Sequence, residues 1–195
     1  LDGCPGGAAD AALLELLSSE LPSVRELAAR AVSRRRPDSS AAALAKALAL
    51  ADYSEGYAML EALARVARAS DASVLAGLLQ AALVSPRASS SLGELGNEQA
   101  ALAAAYALSL EPGPEAVGAL VRALERGTSS VRYYAAKALS KLARSGALPE
   151  EARPLVSRAL AAQLEDFDTA VASASAAALE YAGERSAAEA VFRYL

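Results

Sequence analysis

The chain has 195 residues, of which 54% are apolar, although only 5% are aromatic and tryptophan is absent. Its apolar content is mainly alanine and leucine, which are strong helix formers, and the β-branched and aromatic runs of strands are missing, so the composition predicts an all-α fold without a membrane span. The net charge of −4 is opposite to the basic balance of a protein that neutralises many phosphates, and this disfavours a nucleic-acid partner.

The first residues, LDGCPGG, contain the one cysteine of the chain, Cys4. A single cysteine cannot form an intramolecular disulfide, so the fold does not depend on an oxidising compartment, and we expect a cytoplasmic protein. LDGC also resembles a bacterial lipobox, which gives the alternative of a lipoprotein anchored through Cys4. Because no basic and then apolar region precedes it, we interpret residues 1–7 as a flexible N-terminal segment.

Pairs of leucines four residues apart recur along the rest of the chain, and each pair marks one stripe of a predicted helix. The five pairs are Leu13 and Leu17, Leu44 and Leu48, Leu79 and Leu83, Leu120 and Leu124, and Leu160 and Leu164. A second apolar anchor preceded by alanine follows each pair. The second anchors are Val32, Leu63, Leu108, Leu139 and Leu179.

The interval from the second leucine to the second anchor is 15 residues in four repeats and 25 in the third. The longer interval contains SPRASSSLGELGN, residues 85–97, a Ser/Gly-rich stretch that predicts an inserted loop. A recurring pair of helices is typical of an α-solenoid. We predict a repeat domain over residues 8–195, with repeats at about 8–36, 38–69, 71–110, 114–145 and 150–183, and a capping or truncated helix at 186–195.

The predicted second helices share a pattern, as in VRELAARAV at 24–32 and VRYYAAKAL at 131–139. These two segments resemble the second helix of the HEAT-repeat family, V-R-x-x-A-A-x-A-L. The match weakens where Met59 and Leu60 replace the paired alanines, and where Ala172 stands in place of arginine. The resemblance implies a right-handed superhelix of about five helix pairs, of bacterial type, whose second helices line the concave face.

Two consecutive tyrosines lie in the fourth of these second helices. At 100° per residue, Tyr134 falls with Val131, Ala135 and Leu139, whereas Tyr133 falls on the opposite side. We therefore expect Tyr134 to pack inside and Tyr133 to be exposed.

Outward positions of the second helices form two rows across this face. The first row contains Glu26, Tyr57, Leu102, Tyr133 and Ser173, and the second contains Arg30, Glu61, Tyr106, Lys137 and Ala177. The middle repeats thus place aromatic and apolar side chains among charged ones, a composition typical of protein-binding hot spots. The predicted binding residues are Tyr57, Glu61, Leu102, Tyr106, Tyr133 and Lys137. The alternative is that these side chains are scattered or tucked between helices, with Glu26 and Arg30 forming an ordinary i,i+4 pair.

The sequence contains no histidine, which removes the commonest general base and metal ligand, and zinc needs more Cys and His ligands than Cys4 provides. Glu165, Asp166 and Asp168 suggest a site for a hard cation, but Asp168 is better interpreted as the N-cap of the following helix. We therefore predict no catalytic residue, no metal site and no cofactor.

We expect a non-catalytic scaffold that binds a protein or peptide partner on the concave face, with loop 85–97 as a second possible site. Two enzyme classes also resemble HEAT arrays. HEAT-like DNA glycosylases use a basic cleft, which an acidic chain fits badly. Bilin lyase subunits carry similar helical repeats, so a HEAT-like lyase or another small-molecule-handling subunit is the alternative function.

Overall fold

The computed structural model describes residues 6–48, 51, 53–84 and 91–182. These residues form ten α-helices and four single turns of 3-10 helix, with no strand among them, which confirms the all-α prediction. The α-helices are α1 (Gly6–Leu16), α2 (Pro22–Arg35), α3 (Ser40–Leu48), α4 (Tyr53–Val66), α5 (Ala72–Val84), α6 (Ser91–Leu110), α7 (Val117–Arg126), α8 (Ser129–Arg144), α9 (Arg153–Ala162) and α10 (Thr169–Ala182).

The helices lie in two layers. In the layer that we call the even layer, α2, α4, α6, α8 and α10 pack side by side, each against the next. In the second layer α3, α5, α7 and α9 pack in succession, and α1 packs against α2. Each odd-numbered helix also packs against the even-numbered helix that follows it, so the described chain is a row of helix pairs.

One continuous hydrophobic core lies between the layers. The second anchors are all buried, and they are Val32, Leu63, Leu108, Leu139 and Leu179. Eight of the ten paired leucines are buried as well, whereas Leu83 and Leu164 are half-buried and pack against the core from its edge. The stripes read from the sequence are therefore the inner faces of the helices.

Helix α6 is enclosed on three sides, by α4 and α8 within its layer and by α5 in the other. Alanine occupies most of the enclosed positions, because helices that approach closely leave little room for larger side chains. The buried alanines of α6 are Ala100, Ala101, Ala103, Ala104, Ala105 and Ala107. Over residues 98–110, for which burial is described, only a narrow stripe of α6 is left on the surface of the even layer.

The ends of α2 and α9 follow general rules of helix capping. Helix α2 ends at Arg35, and Arg36 adopts a left-handed conformation with φ of 51° while its N–H donates to the carbonyl of Val32. Arg34 and Arg35 thus lie in the last turn, where cations complement the helix dipole. Pro154 lies in the first turn of α9, where proline is tolerated.

Two boundaries differ from the prediction. Helix α1 begins at Gly6, inside the segment 1–7 that was expected to be a flexible end. Helix α6 begins at Ser91, so the prediction of a loop over 85–97 is wrong for residues 91–97. Residues 85–90 lie outside the described residues, as does the predicted capping helix at 186–195. Within the described ranges, no helix is long and apolar enough to cross a membrane.

Two glycines are expected to respond to alanine in opposite ways. Gly77 is exposed inside α5 with open space around it, so Gly77→Ala should raise the free energy of unfolding by up to about 1 kcal/mol. At Gly113 an added Cβ would lie 2.5 Å from the Cβ of Ala72, so Gly113→Ala should lower the same quantity by roughly 1–3 kcal/mol. Urea unfolding followed by circular dichroism measures both changes, and an equal response of the two variants would contradict this packing.

Candidate functional site

A groove of about 610 Å³ opens on the surface of the even layer, mainly between α4 and α6. Helix α4 contributes Tyr57, Leu60, Glu61, Ala64 and Arg65. Helix α6 contributes Leu102, Ala103, Tyr106 and Leu110, and α8 contributes Tyr134. Three consecutive helix pairs therefore supply the walls of this groove.

The shape of the groove follows from helix periodicity. Its α4 residues lie three, four, seven and eight positions after Tyr57, and so share one helical face. Its main α6 residues, Leu102, Tyr106 and Leu110, are spaced by four. Because eight residues of α-helix rise about 12 Å, this is the length of the groove along the helix axes.

Three tyrosine rings connect the groove to α8. The centroids of Tyr106 and Tyr134 lie 5.1 Å apart with planes at 76°, and those of Tyr134 and Tyr133 lie 5.1 Å apart at 69°. Both are edge-to-face contacts, the geometry that ring quadrupoles favour. The Nζ of Lys137 lies 5.4 Å from the centroid of Tyr133, which ends the series in a cation–π contact.

The groove combines accessible aromatic surface with an anchored floor. Tyr57 is 74% exposed and Tyr106 is 38% exposed. Leu60 and Leu102 are half-buried and pack against the core below. The exposed rings therefore lie on helices that the core holds in place through these two leucines.

The structure places four of the six predicted binding residues, Tyr57, Glu61, Leu102 and Tyr106, in this one groove. The other two, Tyr133 and Lys137, do not line it and lie beside it on α8.

The prediction that Tyr133 is exposed is wrong, because it is half-buried with Tyr134 packed edge-on against its ring. Tyr134 packs against the core as expected, yet it also lines the groove, which the analysis of a single helix missed.

Sequence reasoning also missed Arg65 and Leu110. Each lies four residues after a member of the second predicted row, Glu61 and Tyr106 respectively, so extending the rows by one helical turn would have found both. Arg65 donates to Glu61 at 2.6 Å, and these two groups neutralise each other on the α4 side of the groove. The predicted pair of Glu26 and Arg30 is likewise present at 2.6 Å.

The arginines of the two VR motifs make equivalent contacts between successive helix pairs. Arg25 of α2 donates from Nε to Glu55 of α4 at 2.8 Å, and from Nη1 to the carbonyl of Ser19 at 2.6 Å. Arg132 of α8 donates from Nε to Asp166, before α10, at 2.7 Å, and from Nη1 to the carbonyl of Gly127 at 2.7 Å. Each arginine thus ties the turn before its own helix to the next pair.

The acidic stretch 165–168 has defined structural partners. Asp166 accepts two hydrogen bonds from Arg132, at 2.7 and 3.0 Å, and its side chain is 4% exposed. Asp168 accepts a hydrogen bond from the N–H of Ala170 at 2.9 Å and so caps α10, as predicted. Among the described residues, no group of three or more Asp, Glu or Cys side chains is arranged to hold a metal ion.

The pKa of the Asp166 carboxyl lies below its ordinary value of 3.8, chiefly because Arg132 donates hydrogen bonds to the carboxylate. Burial opposes this by raising the pKa, and the backbone N–H of Asp168, 2.9 Å from Oδ1, lowers it further. The ionised form is therefore the one that the fold stabilises.

A depressed pKa predicts a loss of stability in acid. The contribution of Asp166 should be fully present above pH 3.8 and should disappear as the pH falls through the lower folded-state pKa, because the unfolded state then binds the extra proton. At pH 6 the free energy of unfolding should be higher for wild type than for Asp166→Asn. This difference should become smaller below pH 3.8. A difference that stays constant from pH 6 to pH 2.5 would contradict this assignment.

No family model matches the chain, and no curated protein matches it significantly. Among solved structures, it is similar to an engineered protein whose crystal structure was determined by the Northeast Structural Genomics Consortium. The TM-score is 0.60 at 23% sequence identity, over 95% of this chain and 84% of the other. At this identity the similarity concerns the fold alone.

Proposed function

We propose that this protein is a HEAT-like, right-handed α-solenoid that acts as a non-catalytic scaffold and holds a peptide, or an extended segment of a protein, in the groove between α4 and α6. The observation that carries the proposal is the convergence of Tyr57, Leu102 and Tyr106 from successive helix pairs on one open groove.

The arrangement of the helices supports a solenoid. Helix pairs follow one another in two layers, and each even-numbered helix packs against the next, as in arrays whose repeats contact mainly their neighbours. Arg25 and Arg132, at equivalent positions of the HEAT-like motif, both reach a carboxylate of the next pair.

The chemistry of the groove supports a peptide ligand. Tyrosine buries a large apolar ring at little cost in side-chain entropy, and its hydroxyl is available for hydrogen bonds to a backbone. No hydrogen bond found within the described residues uses the hydroxyls of Tyr57, Tyr106 or Tyr134. The groove is open along about 12 Å of the helix axes, which suits a chain segment that enters and leaves at its ends.

The proposal is tested by capture from a lysate of the source organism with wild type and with a Tyr57→Ala, Tyr106→Ala double variant. Tyr181→Ala is the matched control, since Tyr181 is 41% exposed on α10, outside the groove. We expect mass spectrometry to identify a protein retained by wild type and by the control and lost from the double variant. If these tyrosines are hot-spot residues, the double variant should lose at least about 2 kcal/mol of binding free energy, which is roughly a 30-fold increase in Kd. Equal retention by all three proteins, with unchanged circular dichroism, would remove the groove from consideration.

A further inference from the structure

Helix α8 gives one side of the groove a positive edge. It carries four cations and no carboxylate, and two of them, Lys137 and Lys141, contact residues that line or adjoin the groove. Lys141 donates to the carbonyl of Leu110, which lines the groove, so this cation lies at the end of the groove where α6 terminates. Lys137 lies one turn earlier, beside the ring of Tyr133.

Most of the other charges near the groove are already paired. Glu61 and Arg65 neutralise each other on α4, and Lys141 has Glu111 at 3.7 Å. Lys137, by contrast, contacts an aromatic ring and is in none of the ion pairs found in the described part of the chain. A ring does not cancel the charge of the cation above it, so this edge keeps a net positive charge.

The charge of the whole chain does not decide what this edge attracts. The chain carries −4 overall, but charges are screened over about 8 Å at physiological ionic strength, so a ligand in the groove responds mainly to its immediate neighbours. Those neighbours are a neutral pair on α4, an uncharged stripe on α6 and Lys137 on α8, whose charge the ring of Tyr133 does not cancel.

We infer that the ligand of the groove is an acidic, amphipathic peptide segment, an assignment that rests on the proposed function. Its apolar side chains contact Tyr57, Leu102 and Tyr106, and its carboxylates lie on the α8 side, over Lys137. The groove length of about 12 Å accommodates two turns of a helix, or about four residues of extended chain. A basic segment would meet Lys137 as a like charge, and a purely apolar one would leave that cation without a partner.

The test is selection of a phage-displayed library of random dodecapeptides on wild-type protein, with counter-selection on the Tyr57→Ala, Tyr106→Ala double variant. Enriched peptides are synthesised with a fluorescein label, and their Kd values are measured by fluorescence anisotropy. We expect sequences in which Asp or Glu alternates with Leu, Phe or Tyr. We also expect at least tenfold weaker binding by Lys137→Glu, with a smaller loss for Lys137→Ala and weaker binding at higher salt.

Arg158→Glu is the control for the change in net charge, because Arg158 is exposed on α9 in the other layer, and it should leave Kd unchanged. Neutral or basic peptides that still require both tyrosines would overturn the acidic assignment and leave the proposed function standing. If no selected peptide depends on the tyrosines, both fail. Sedimentation equilibrium tests whether the groove is instead occupied by a second copy of this chain. A wild-type dimer that becomes a monomer in the double variant would show this and overturn the inference.

Discussion

Replacing Arg132 with alanine is expected to lower the free energy of unfolding by about 3 kcal/mol, because it leaves a nearly buried carboxylate without its partner. Asp166 is 4% exposed and accepts two hydrogen bonds from Arg132. The same guanidinium also satisfies the carbonyl of Gly127. The variant therefore loses contacts within its own turn as well as those to the next helix pair. Urea unfolding at pH 7, followed at 222 nm, measures the change.

The matched control is Arg30→Ala. Arg30 also pairs with a carboxylate, at 2.6 Å, but its side chain is 61% exposed, and exposed i,i+4 pairs contribute about 0.5 kcal/mol or less. A second comparison uses Asp166→Asn alone and the double variant Arg132→Ala, Asp166→Asn. The double variant should lose less unfolding free energy than the sum of the two single losses, because the two residues act as one unit. An Arg132→Ala variant no less stable than Arg30→Ala would refute this role.

Replacing Tyr134 with alanine is expected to impair both stability and binding. The ring packs against the core, contacts Tyr106 and Tyr133 edge-on, and lines the groove. Large-to-small changes of fully buried aromatics cost about 3–5 kcal/mol, and a half-buried ring should cost roughly 2 kcal/mol. Without this ring Tyr106 loses its neighbour in α8, so affinity for a groove-bound peptide should fall at least tenfold.

Tyr134→Phe removes the hydroxyl and keeps the ring. Because the aromatic contacts remain, its free energy of unfolding should lie within about 0.5 kcal/mol of that of wild type. If its affinity also matches wild type, packing of the ring explains the effect of Tyr134→Ala. If Tyr134→Ala binds peptide as wild type does, then Tyr134 does not support the groove.

The sequence predicted the helices well because their pattern is local. Leucines four apart and alanine-preceded anchors identify the inner stripe of a helix whatever lies opposite, and all five second anchors are buried. The Asp168 cap of α10 was predicted for the same reason, since it depends on the hydrogen bonding of one helix end.

The prediction failed for residues 91–97, where serine and glycine suggested a loop and the chain is the start of α6. Glycine lowers helix propensity by only about 1 kcal/mol per residue, and the helical residues that follow are able to outweigh such a weak local preference. Tyr133 was also misplaced, because a helical wheel gives only the direction of each side chain. It takes no account of contacts between neighbouring side chains, which Tyr133 makes with Tyr134 and Lys137 of the same helix.

By itself, the sequence determined which faces of the helices are buried, and that Tyr57, Glu61 and Tyr106 are exposed, whereas Leu102 is half-buried and packs against the core. The tertiary structure decided which of these side chains meet. The alanine-rich α6 lies between α4 and α8, and the larger side chains on either side then form a groove. Tyr134 belongs to that groove because α8 packs next to α6, and no periodicity within one helix specifies the neighbour against which it packs.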